Sequence, residues 1–413
     1  MSVVDPRNHN ISEAGKELLR WHQKLGHLDL RRIQFILKSG VLANTAAKKA
    51  LHTQASKLRE PPKCAACQFG KQTVQAPKSK SNTRVVRDKA PVLKQDSLFP
   101  GQNVSLDHFV CSTKGVTLSS RGGVNAPGYV GGCLFVDNAS GLTHVEFQQH
   151  LNTHETLEAV KQFESMCLDS GVVPTHYTSD SGSVFTSKEF QKHLQQFNQI
   201  IHFAGTSAHH HNAIAERHIR TIMSIARTMM LHAAVHWPDM ADAKLWPLAV
   251  QYAVYIFNRV PNPDTGLSPL DVFTGSRHPL RRLQDCHVWG CPGYLLDKTV
   301  ADGKKLPRWA AKSERVVFVG ISAKHMAATP LVLNTRTRVI TTPYHVVFDD
   351  WFHTVGSDVN SLPDFNTPEW AQMFGDSVYQ YMPEDSWPHL GPSPYQLEYQ
   401  QHQGFDPYQP MLD

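Results

Sequence analysis

The pattern of apolar and polar residues between 103 and 260 predicts an α/β sheet domain. "NVSLDHFV", "GYVGGCLFVDN" and "THVEFQQH" have strand-like patterns, and a Gly-rich loop separates the first two. The strand patterns "VPTHYTSD" and "QIIHFAG" then alternate with the helical patterns "THETLEAVKQFESMCLDSG" and "SKEFQKHLQQF". A long helix from about Ala213 to His232 follows, and then a second one over "DMADAKLWPLAVQYAVYIFNRV". This order of strands and helices is typical of a sheet covered by helices.

The segments on both sides of this domain have different patterns. "SEAGKELLRWHQKL" predicts a helix with Ser12 as its N-cap, whereas "HVWGCPGYLL", "ERVVFVGIS" and "TPLVLNTRTRVITTPYHVVFD" predict a small antiparallel barrel. We therefore predict five regions: a helical domain (11–75), a basic linker (76–100), the α/β core with its C-terminal helices (101–275), a small β-barrel (276–350) and an acidic, disordered tail (351–413).

Basic and acidic residues are unevenly distributed along the 413 residues of the chain. From Val339 to the C-terminus there are 11 Asp and Glu and no Lys or Arg. The first 338 residues therefore carry all 41 basic residues and only 25 of the 36 acidic ones. A basic body with an acidic tail favours a protein that binds a polyanion such as nucleic acid, although charge alone does not define the partner.

Other sequence features argue against two further classes of protein. No run of about 18 apolar residues predicts a membrane span, and "MSVVDPRNHNISEAG" lacks the charged and then apolar pattern of a secretory signal. The seven cysteines are an odd number with one close pair, Cys64 and Cys67. This usage favours reduced thiols and a metal site over a disulfide framework, and we expect no membrane partner.

Three acidic residues occupy positions that suggest catalytic chemistry. Asp107 lies inside a predicted strand, Asp180 ends another strand, and Glu216 lies near the start of the long helix, with 35 residues between it and Asp180. A carboxylate in mid-strand is unfavourable, and the C-terminal ends of strands face the crevice where α/β sheets bind ligands. Taken singly, each acid is equally compatible with a turn cap or a surface charge. Together, three converging carboxylates suit two divalent cations that promote phosphoryl transfer.

Several motifs resemble a known family. "SDSGSVFTSKEF" (179–190) and "HHNAIAERHIRTIMSIARTMM" (210–230) resemble the second-Asp and Glu motifs of copia-type (Pseudoviridae) retrotransposon integrases, which derive from a Gag-Pol polyprotein within the retroviral integrase superfamily. "WPLAVQYAVYIFNRVPN", "LSPLDVFTGSRHP" and "HVWGCPGYLL" match the family in the same order, and the resemblance covers roughly residues 20 to 350.

This resemblance implies an RNase H-like integrase core, a mixed five-stranded sheet with helices, between a small helical zinc-binding domain and a small β-barrel. It implies that Asp107, Asp180 and Glu216 form the catalytic triad and hold two Mg²⁺ or Mn²⁺ ions. The chain departs from the family at Ser181, where Asn is usual, and at Ala213, where Gly is usual. We interpret Asp137, which the family also tends to carry, as a strand-end or turn residue.

The N-terminal region contains a second set of metal-ligating residues. His22 and His27 in "WHQKLGH" are separated by four residues, and Cys64 and Cys67 in "CAAC" by two. Two imidazoles and two thiolates suit one tetrahedral, structural zinc ion. From spacing alone, surface histidines and an incidental cysteine pair remain the alternative. The resemblance implies a His-His-Cys-Cys zinc bundle, with "SGVLANTAAKKALHTQ" (39–54) as an extra loop.

The long helix also carries candidate nucleic-acid contacts. Glu216, Arg220, Met223 and Arg227 share one face, and a neighbouring apolar stripe faces the core. One carboxylate near the metals and arginines further along suit a DNA backbone that follows the helix. The predicted nucleic-acid-binding residues are Arg217, Arg220, Arg227, His211 and Lys71. The alternative is an intrahelical Glu216–Arg220 ion pair, which contributes only a few tenths of a kcal/mol.

The resemblance implies a nuclear polynucleotidyl transferase, synthesised in the cytoplasm. This DNA integrase would act as a homo-oligomer on retrotransposon DNA ends and target chromosomal DNA. It would carry out 3′-end processing and strand transfer. A degenerate or domesticated DNA-binding remnant is one alternative, favoured by the absence of a reverse-transcriptase Tyr-x-Asp-Asp motif, and a metal-dependent nuclease of the same fold is another. Asp-Ser-Gly at 180–182 and Asp-Thr-Gly at 264–266 also match the aspartic protease motif, but no apolar strand precedes the second one.

Overall fold

A computed structural model describes most of the chain up to residue 356. The described ranges are 4–5, 7–72, 98–116, 128–204, 212–305, 311–325 and 328–356. The chain divides into Met1–Phe374, which contains every described residue, and Gly375–Asp413. Most of the predicted basic linker (76–97), His211, and the tail beyond residue 356 therefore lie outside the described residues.

The N-terminal region is helical, as its pattern predicts. Its helices are α1 (Glu13–Lys24), α2 (Leu30–Ser39), α3 (Ala46–Ser56) and α4 (Ala65–Gly70). Ser12 caps α1 by accepting a hydrogen bond from the Gly15 backbone N–H, at 3.2 Å. The extra loop expected over 39–54 is wrong, because most of this segment forms α3, which buries His52 and Ala55 against the other helices.

A mixed five-stranded sheet forms the centre of the molecule. Its strands are β1 (Val104–Gly115), β2 (Tyr129–Asp137), β3 (Thr143–Gln148), β4 (His176–Ser179) and β5 (Ile200–Phe203). The strand order is β3-β2-β1-β4-β5, with antiparallel pairing on the β3 side of β1 and parallel pairing on the β5 side. This arrangement confirms the predicted mixed five-stranded sheet of an RNase H-like fold.

Helices cover both faces of this sheet. They are α5 (Thr153–Asp169), α6 (Lys188–Gln196), α7 (Ala213–His236), α8 (Trp246–Arg259) and α9 (Pro269–Thr274). The second long helix begins later than its pattern predicts, because the preceding residues form two short 3₁₀ turns, Pro238–Met240 and Ala243–Leu245. Pro247 in the first turn of α8 lacks only an N–H that would have no partner there.

A small antiparallel β unit follows the core. It contains β6 (Pro292–Leu296), β7 (Ser313–Ile321), β8 (Pro330–Asn334), β9 (Ile340–Thr341) and β10 (Val346–Phe348), in the order β10-β6-β7-β8-β9. A short helix, α10 (Lys298–Ala301), lies between β6 and β7. Within the described ranges, the edge strands β9 and β10 are not paired with each other.

Side chains from alternate positions of β1 enter two different cores. Leu106 packs with Phe163 and other residues of α5 and α6, whereas Phe109 joins a larger core with α7 and α8. That larger core also includes buried side chains of the N-terminal helices and of the small β unit, such as Leu18 and Phe318. No helix in the described part of the chain is long and apolar enough to cross a membrane.

Candidate functional site

Asp107 lies in the middle of β1, opposite Leu134 of β2. It has the same parity along the strand as Phe109, so its side chain is on the sheet face that α7 covers. The side chain is half-buried, and the His108 backbone N–H donates to its Oδ1 at 2.8 Å. Desolvation and the charges of Asp180 and Glu216 together raise the pKa of Asp107 to about 8, against the opposing effect of the His108 hydrogen bond.

Asp180 comes directly after β4, the parallel neighbour of β1. The pairing of Ser105 with Thr178, continued by two residues, places Asp180 beside Asp107. The Gly182 backbone N–H donates to Oδ1 of Asp180 at 3.3 Å. Desolvation raises the pKa of Asp180, and the Gly182 hydrogen bond opposes this shift. The two aspartates therefore meet at the C-terminal edge of β4, as the strand pattern predicts.

Glu216 lies in the first turn of α7 and is half-buried. Two tethers hold this turn against the sheet, and the sequence analysis missed both. Asn212 donates from Nδ2 to the carbonyl of Leu106 at 3.1 Å, next to Asp107 along β1. His218 contacts the Thr143 hydroxyl through Nδ1 at 2.9 Å. An Asn immediately before a helix signals a cap, but nothing in the sequence indicates that this one reaches β1 instead.

In the described part of the chain, the charges of Asp180 and Glu216 act on Asp107, and no cationic side chain pairs with any of the three. In the described part of the chain, no Lys, Arg or His forms an ion pair with Asp107, Asp180 or Glu216. Their ligand atoms do not form a cluster as close as the N-terminal one, the only such group among the described residues. Uncompensated carboxylates on one face fit hard divalent cations, which relieve this repulsion.

Beyond Glu216, α7 has an exposed basic side and a buried apolar side. Arg217 and Arg220 are exposed, and Arg227 is half-buried. The predicted apolar stripe consists of Ile219, Ile222, Ala226 and Met229; Ile219 is half-buried and the other three are buried. No ion pair between Glu216 and Arg220 forms in this described helix, so the alternative role for Arg220 is not observed.

Lys71 lies at the N-terminal metal-ligand cluster. Its Nζ donates to the carbonyl oxygen of His27, and desolvation lowers its pKa while the nearby cysteine thiolates oppose that shift. The side chain is therefore directed towards the helical region and is not fully exposed to solvent. Its predicted contact with nucleic acid stays a prediction, and this placement does not favour it.

The quartet His22, His27, Cys64 and Cys67 gathers four ligand atoms within 4.8 Å of one another. His22 Nε2 lies 3.2 Å from the sulfur of Cys67, and His27 Nδ1 lies 3.4 Å from the sulfur of Cys64. The other ring nitrogen of His22, Nδ1, is 2.8 Å from the carbonyl of Leu28. Donation to this carbonyl requires a proton on Nδ1, which leaves the Nε2 lone pair directed at the cluster.

The chemistry of the quartet matches zinc. A hydrogen bond from Cys67 lowers the pKa of the Cys64 thiol, with further lowering by His22 and His27, whereas burial opposes it. Two imidazoles and two thiols at this separation supply the four ligands of a closed tetrahedral site. His27, whose Nδ1 approaches both sulfurs, has a left-handed backbone conformation (φ 56°).

Asp137 and Asp264, two acidic residues outside the carboxylate trio that the sequence analysis also considered, have structural roles. Asp137 is fully buried and accepts from the Gly101 backbone N–H and from both the backbone N–H and hydroxyl of Ser140, at 2.6 to 2.8 Å. It organises the turn after β2, as predicted. Asp264 lies in a turn after α8, where its backbone N–H donates to Asn262, so no strand leads into an aspartic protease motif.

Comparisons with known proteins agree with the motifs. A family model described as the GAG-pre-integrase domain matches residues 2–72, which include the quartet. The retrovirus-related Pol polyprotein from transposon TNT 1-94 of Nicotiana tabacum is 24% identical over 293 residues, covering 70% of this chain and 19% of the polyprotein. The corresponding polyprotein from transposon RE2 of Arabidopsis thaliana is 28% identical over 220 residues, covering 50% of this chain and 14% of the polyprotein.

These matches show that the chain is similar to Pol polyproteins of transposons and that residues 2–72 are similar to the GAG-pre-integrase domain. More particularly, the chain is similar to the integrase region of copia-type retrotransposon Pol polyproteins, which confirms the resemblance found in its motifs. The chain spans less than a fifth of the length of these curated relatives.

Solved structures of retroviral integrases are also similar. The HTLV-2 integrase catalytic core domain in complex with magnesium (trimeric form) is 19% identical, covering 43% of this chain and 98% of its own, with a TM-score of 0.30. The integrase chain of the simian T-cell lymphotropic virus intasome in complex with PP2A regulatory subunit B56 gamma is 13% identical. It covers 77% of this chain and 96% of its own, with a TM-score of 0.34.

Proposed function

We propose that this protein is a DNA integrase that trims the 3′ ends of retrotransposon DNA and joins them to target chromosomal DNA. The observation that carries this proposal is the meeting of Asp107, Asp180 and Glu216 on one face of the sheet without a cationic partner in the described part of the chain. The similarity to Pol polyproteins of transposons supports DNA ends of such an element as the substrate.

The three carboxylates have distinct positions that suit phosphoryl transfer. Asp107, with a pKa near 8, is largely protonated at neutral pH without a cation and releases that proton when it becomes a ligand. Asp180 approaches from an exposed strand end, open to a substrate, and Glu216 approaches from a helix held by Asn212. Two Mg²⁺ or Mn²⁺ ions, when bound, would polarise the phosphodiester and activate the attacking water or 3′-hydroxyl.

DNA binding is assigned to the exposed side of α7. Arg217 and Arg220 lie one and four residues after Glu216, so phosphates bound by them lie close to the carboxylates. Guanidinium groups suit phosphate oxygens because they donate two parallel hydrogen bonds. Phosphate contacts of this kind position the duplex without reading its sequence.

The quartet is assigned one structural zinc ion, because all four coordination positions have protein ligands. We further propose a homo-oligomer that acts on paired DNA ends in the nucleus after synthesis in the cytoplasm. Light scattering of the complex with two DNA ends tests the first point, since a strict monomer would contradict it. Imaging of a fluorescent fusion tests the second, since exclusion from the nucleus would contradict it.

Strand transfer of a labelled duplex end into a plasmid, with Mn²⁺ present, tests the proposed activity. The wild type is expected to give joined products, and Glu216→Gln is expected to lose them by about 100-fold or more, because several kcal/mol of transition-state stabilisation depend on the metals. Glu158→Gln, which changes an exposed acid on α5, serves as the matched control and should remain active.

The same assay separates the alternatives. Cutting without joining would indicate a nuclease of this fold. DNA binding with neither cutting nor joining, for varied end sequences, would indicate a non-catalytic DNA-binding remnant and would overturn the proposed activity.

A further inference from the structure

Helix α7 forms one wall of the histidine–cysteine quartet. A Cβ atom on Gly70, in α4, would lie 2.5 Å from the hydroxyl and 3.1 Å from the Cα of Thr228 on α7. A Cβ atom on Gly26, next to His27, would lie 3.2 Å from Ile225 and 3.4 Å from the sulfur of Met229. Both segments that carry the ligands therefore pack closely against α7, and a methyl group on either glycine would require neighbouring atoms to shift.

One side chain of that wall contacts a ligand ring directly. The ring of His232 on α7 lies 4.8 Å from the ring of His27, between centroids, at an interplanar angle of 56°. His232 is only 4% exposed, and its ring also contacts His236 and Phe352. These ring contacts pack His232 beside the quartet.

Among the described residues, the nitrogen of His27 that faces away from the cysteines has no hydrogen-bond partner. Nδ1 of His27 approaches both sulfurs, at 3.4 and 3.8 Å, whereas Nε2 is buried and unsatisfied. An imidazole that binds a metal through Nδ1 carries its proton on Nε2. Metal-bound histidines almost always donate this second N–H to an acceptor, which fixes the ring and strengthens the ligand.

We propose that His232 is an outer-shell residue of the N-terminal metal site and accepts the Nε2–H of His27 when the site holds zinc. This inference rests on the proposed zinc centre and extends it into the catalytic core. Because Glu216 lies 16 residues earlier on the same helix, about 24 Å away along its axis, α7 links the two candidate metal centres. Zinc binding would thereby stabilise the helix that carries Glu216.

Competition for zinc against a chromogenic chelator tests this role in the full chain. His232→Phe keeps the ring volume but removes both nitrogens, and we expect its zinc affinity to fall by about 10- to 100-fold. His232→Gln keeps an acceptor and should recover part of that affinity. His52→Gln is the matched control. His52 is also buried but contacts Glu17 and Trp21 instead of the quartet, so the zinc affinity of this variant should stay near the wild-type value.

A Co²⁺-substituted protein supplies a readout beyond affinity. The visible absorption of a tetrahedral site with two sulfur and two nitrogen ligands should change in His232→Phe and stay unchanged in His52→Gln. Wild-type affinity and spectrum in His232→Phe, or an equal loss in His52→Gln, would overturn the outer-shell role while leaving the zinc centre intact. Failure of the wild type to bind one zinc ion would overturn both.

Discussion

The histidine–cysteine quartet and the carboxylate trio differ in how completely the fold assembles them. The quartet brings its four ligand atoms within 4.8 Å in a largely buried setting, and hydrogen bonds fix His22. The trio spans a strand, a strand end and a helix. Desolvation raises the pKa of Asp107 and of Asp180, and the charges of Asp180 and Glu216 also raise the pKa of Asp107. The quartet gathers its ligand atoms closely, whereas the trio includes an exposed carboxylate, Asp180, and concentrates negative charge.

This difference follows from the ligands. Imidazole nitrogens and cysteine sulfurs form hydrogen bonds with one another, so they can pack closely. Carboxylates repel one another and lose solvation when they approach, so only a cation or protons bring them together. A structural site gains from early closure, whereas a catalytic site needs open positions for a substrate. The contrast therefore agrees with the roles proposed for the two sites.

Loss of zinc from the quartet is expected to have the largest effect on stability. Chelation should lower the Tm of the wild type by on the order of 10 °C, because metal binding free energy contributes directly to folding. Cys64→Ala should have a low Tm that chelators no longer change. Cys111→Ala, a buried cysteine outside the quartet, should keep the chelator response. A wild-type Tm that chelators leave unchanged would contradict a structural zinc site.

An added methyl group at the contact between α4 and α7 is expected to lower stability less than the loss of zinc does. Gly70→Ala places a methyl group against the Thr228 backbone, and overpacking of this kind costs roughly 1–3 kcal/mol. Gly356→Ala is the control, since a Cβ there meets nothing within 4 Å. Chemical denaturation of the zinc-loaded proteins measures the two changes. Equal stability of the two variants would show that α4 does not pack tightly on α7.

Removing the charge of Asp107 should stabilise the protein in the absence of divalent cations. Its folded pKa of about 8 lies far above the ordinary pKa of an aspartate, about 4, so between these pH values the native state holds a proton that the unfolded state releases. Stability from this group is therefore lost as pH rises from about 4 to 8. The free energy of unfolding of Asp107→Asn should exceed that of the wild type by roughly 1–2 kcal/mol at pH 8, after allowance for solvent screening. Near pH 4 the two proteins should be equally stable. An Asp107→Asn variant that is less stable than the wild type, most of all at pH 8, would contradict this prediction.

Arg220→Gln is expected to change folding least. The residue is exposed and forms no ion pair with Glu216 in the described helix, so the free energy of unfolding should change by less than about 0.5 kcal/mol. DNA affinity should fall, and the slope of its logarithm against that of salt concentration should decrease by about one. Lys161→Gln, on α5, is the control. An unchanged salt dependence would remove Arg220 from the DNA contact surface.

The sequence was sufficient to predict elements whose signals are local. Alternating and helical patterns predicted the strands and helices of the core, and Ser12 was recognised as a cap because its hydrogen bond reaches only three residues along the chain. The close pair of cysteines and the two histidines predicted the quartet because each pair chelates locally. Asp107 in mid-strand and Asp180 at the C-terminal end of a strand predict a shared site, because such strand ends face the ligand-binding crevice of an α/β sheet, and the parallel pairing of β1 with β4 places the two residues side by side.

Contacts between distant segments could not be predicted in this way. The bond from Asn212 to Leu106 joins residues 106 positions apart, and the contact of His232 with His27 depends on how the N-terminal helices pack on α7. Lys71 appeared to be one more basic residue, but its amine reaches the His27 carbonyl. Segment 39–54 carries a weak helical pattern, and burial of His52 and Ala55 stabilises α3 there.

Binding of Mn²⁺ to the protein and to Asp107→Asn, by calorimetry at pH 7 in buffers of different ionisation enthalpy, tests most directly whether the trio is a cation site. The wild type is expected to bind Mn²⁺ with release of a proton, because Asp107 must ionise to become a ligand. Asp107→Asn is expected to bind at least about tenfold more weakly, a loss of about 1.4 kcal/mol, and without that proton. Equal affinity and equal proton release in the two proteins would contradict the site.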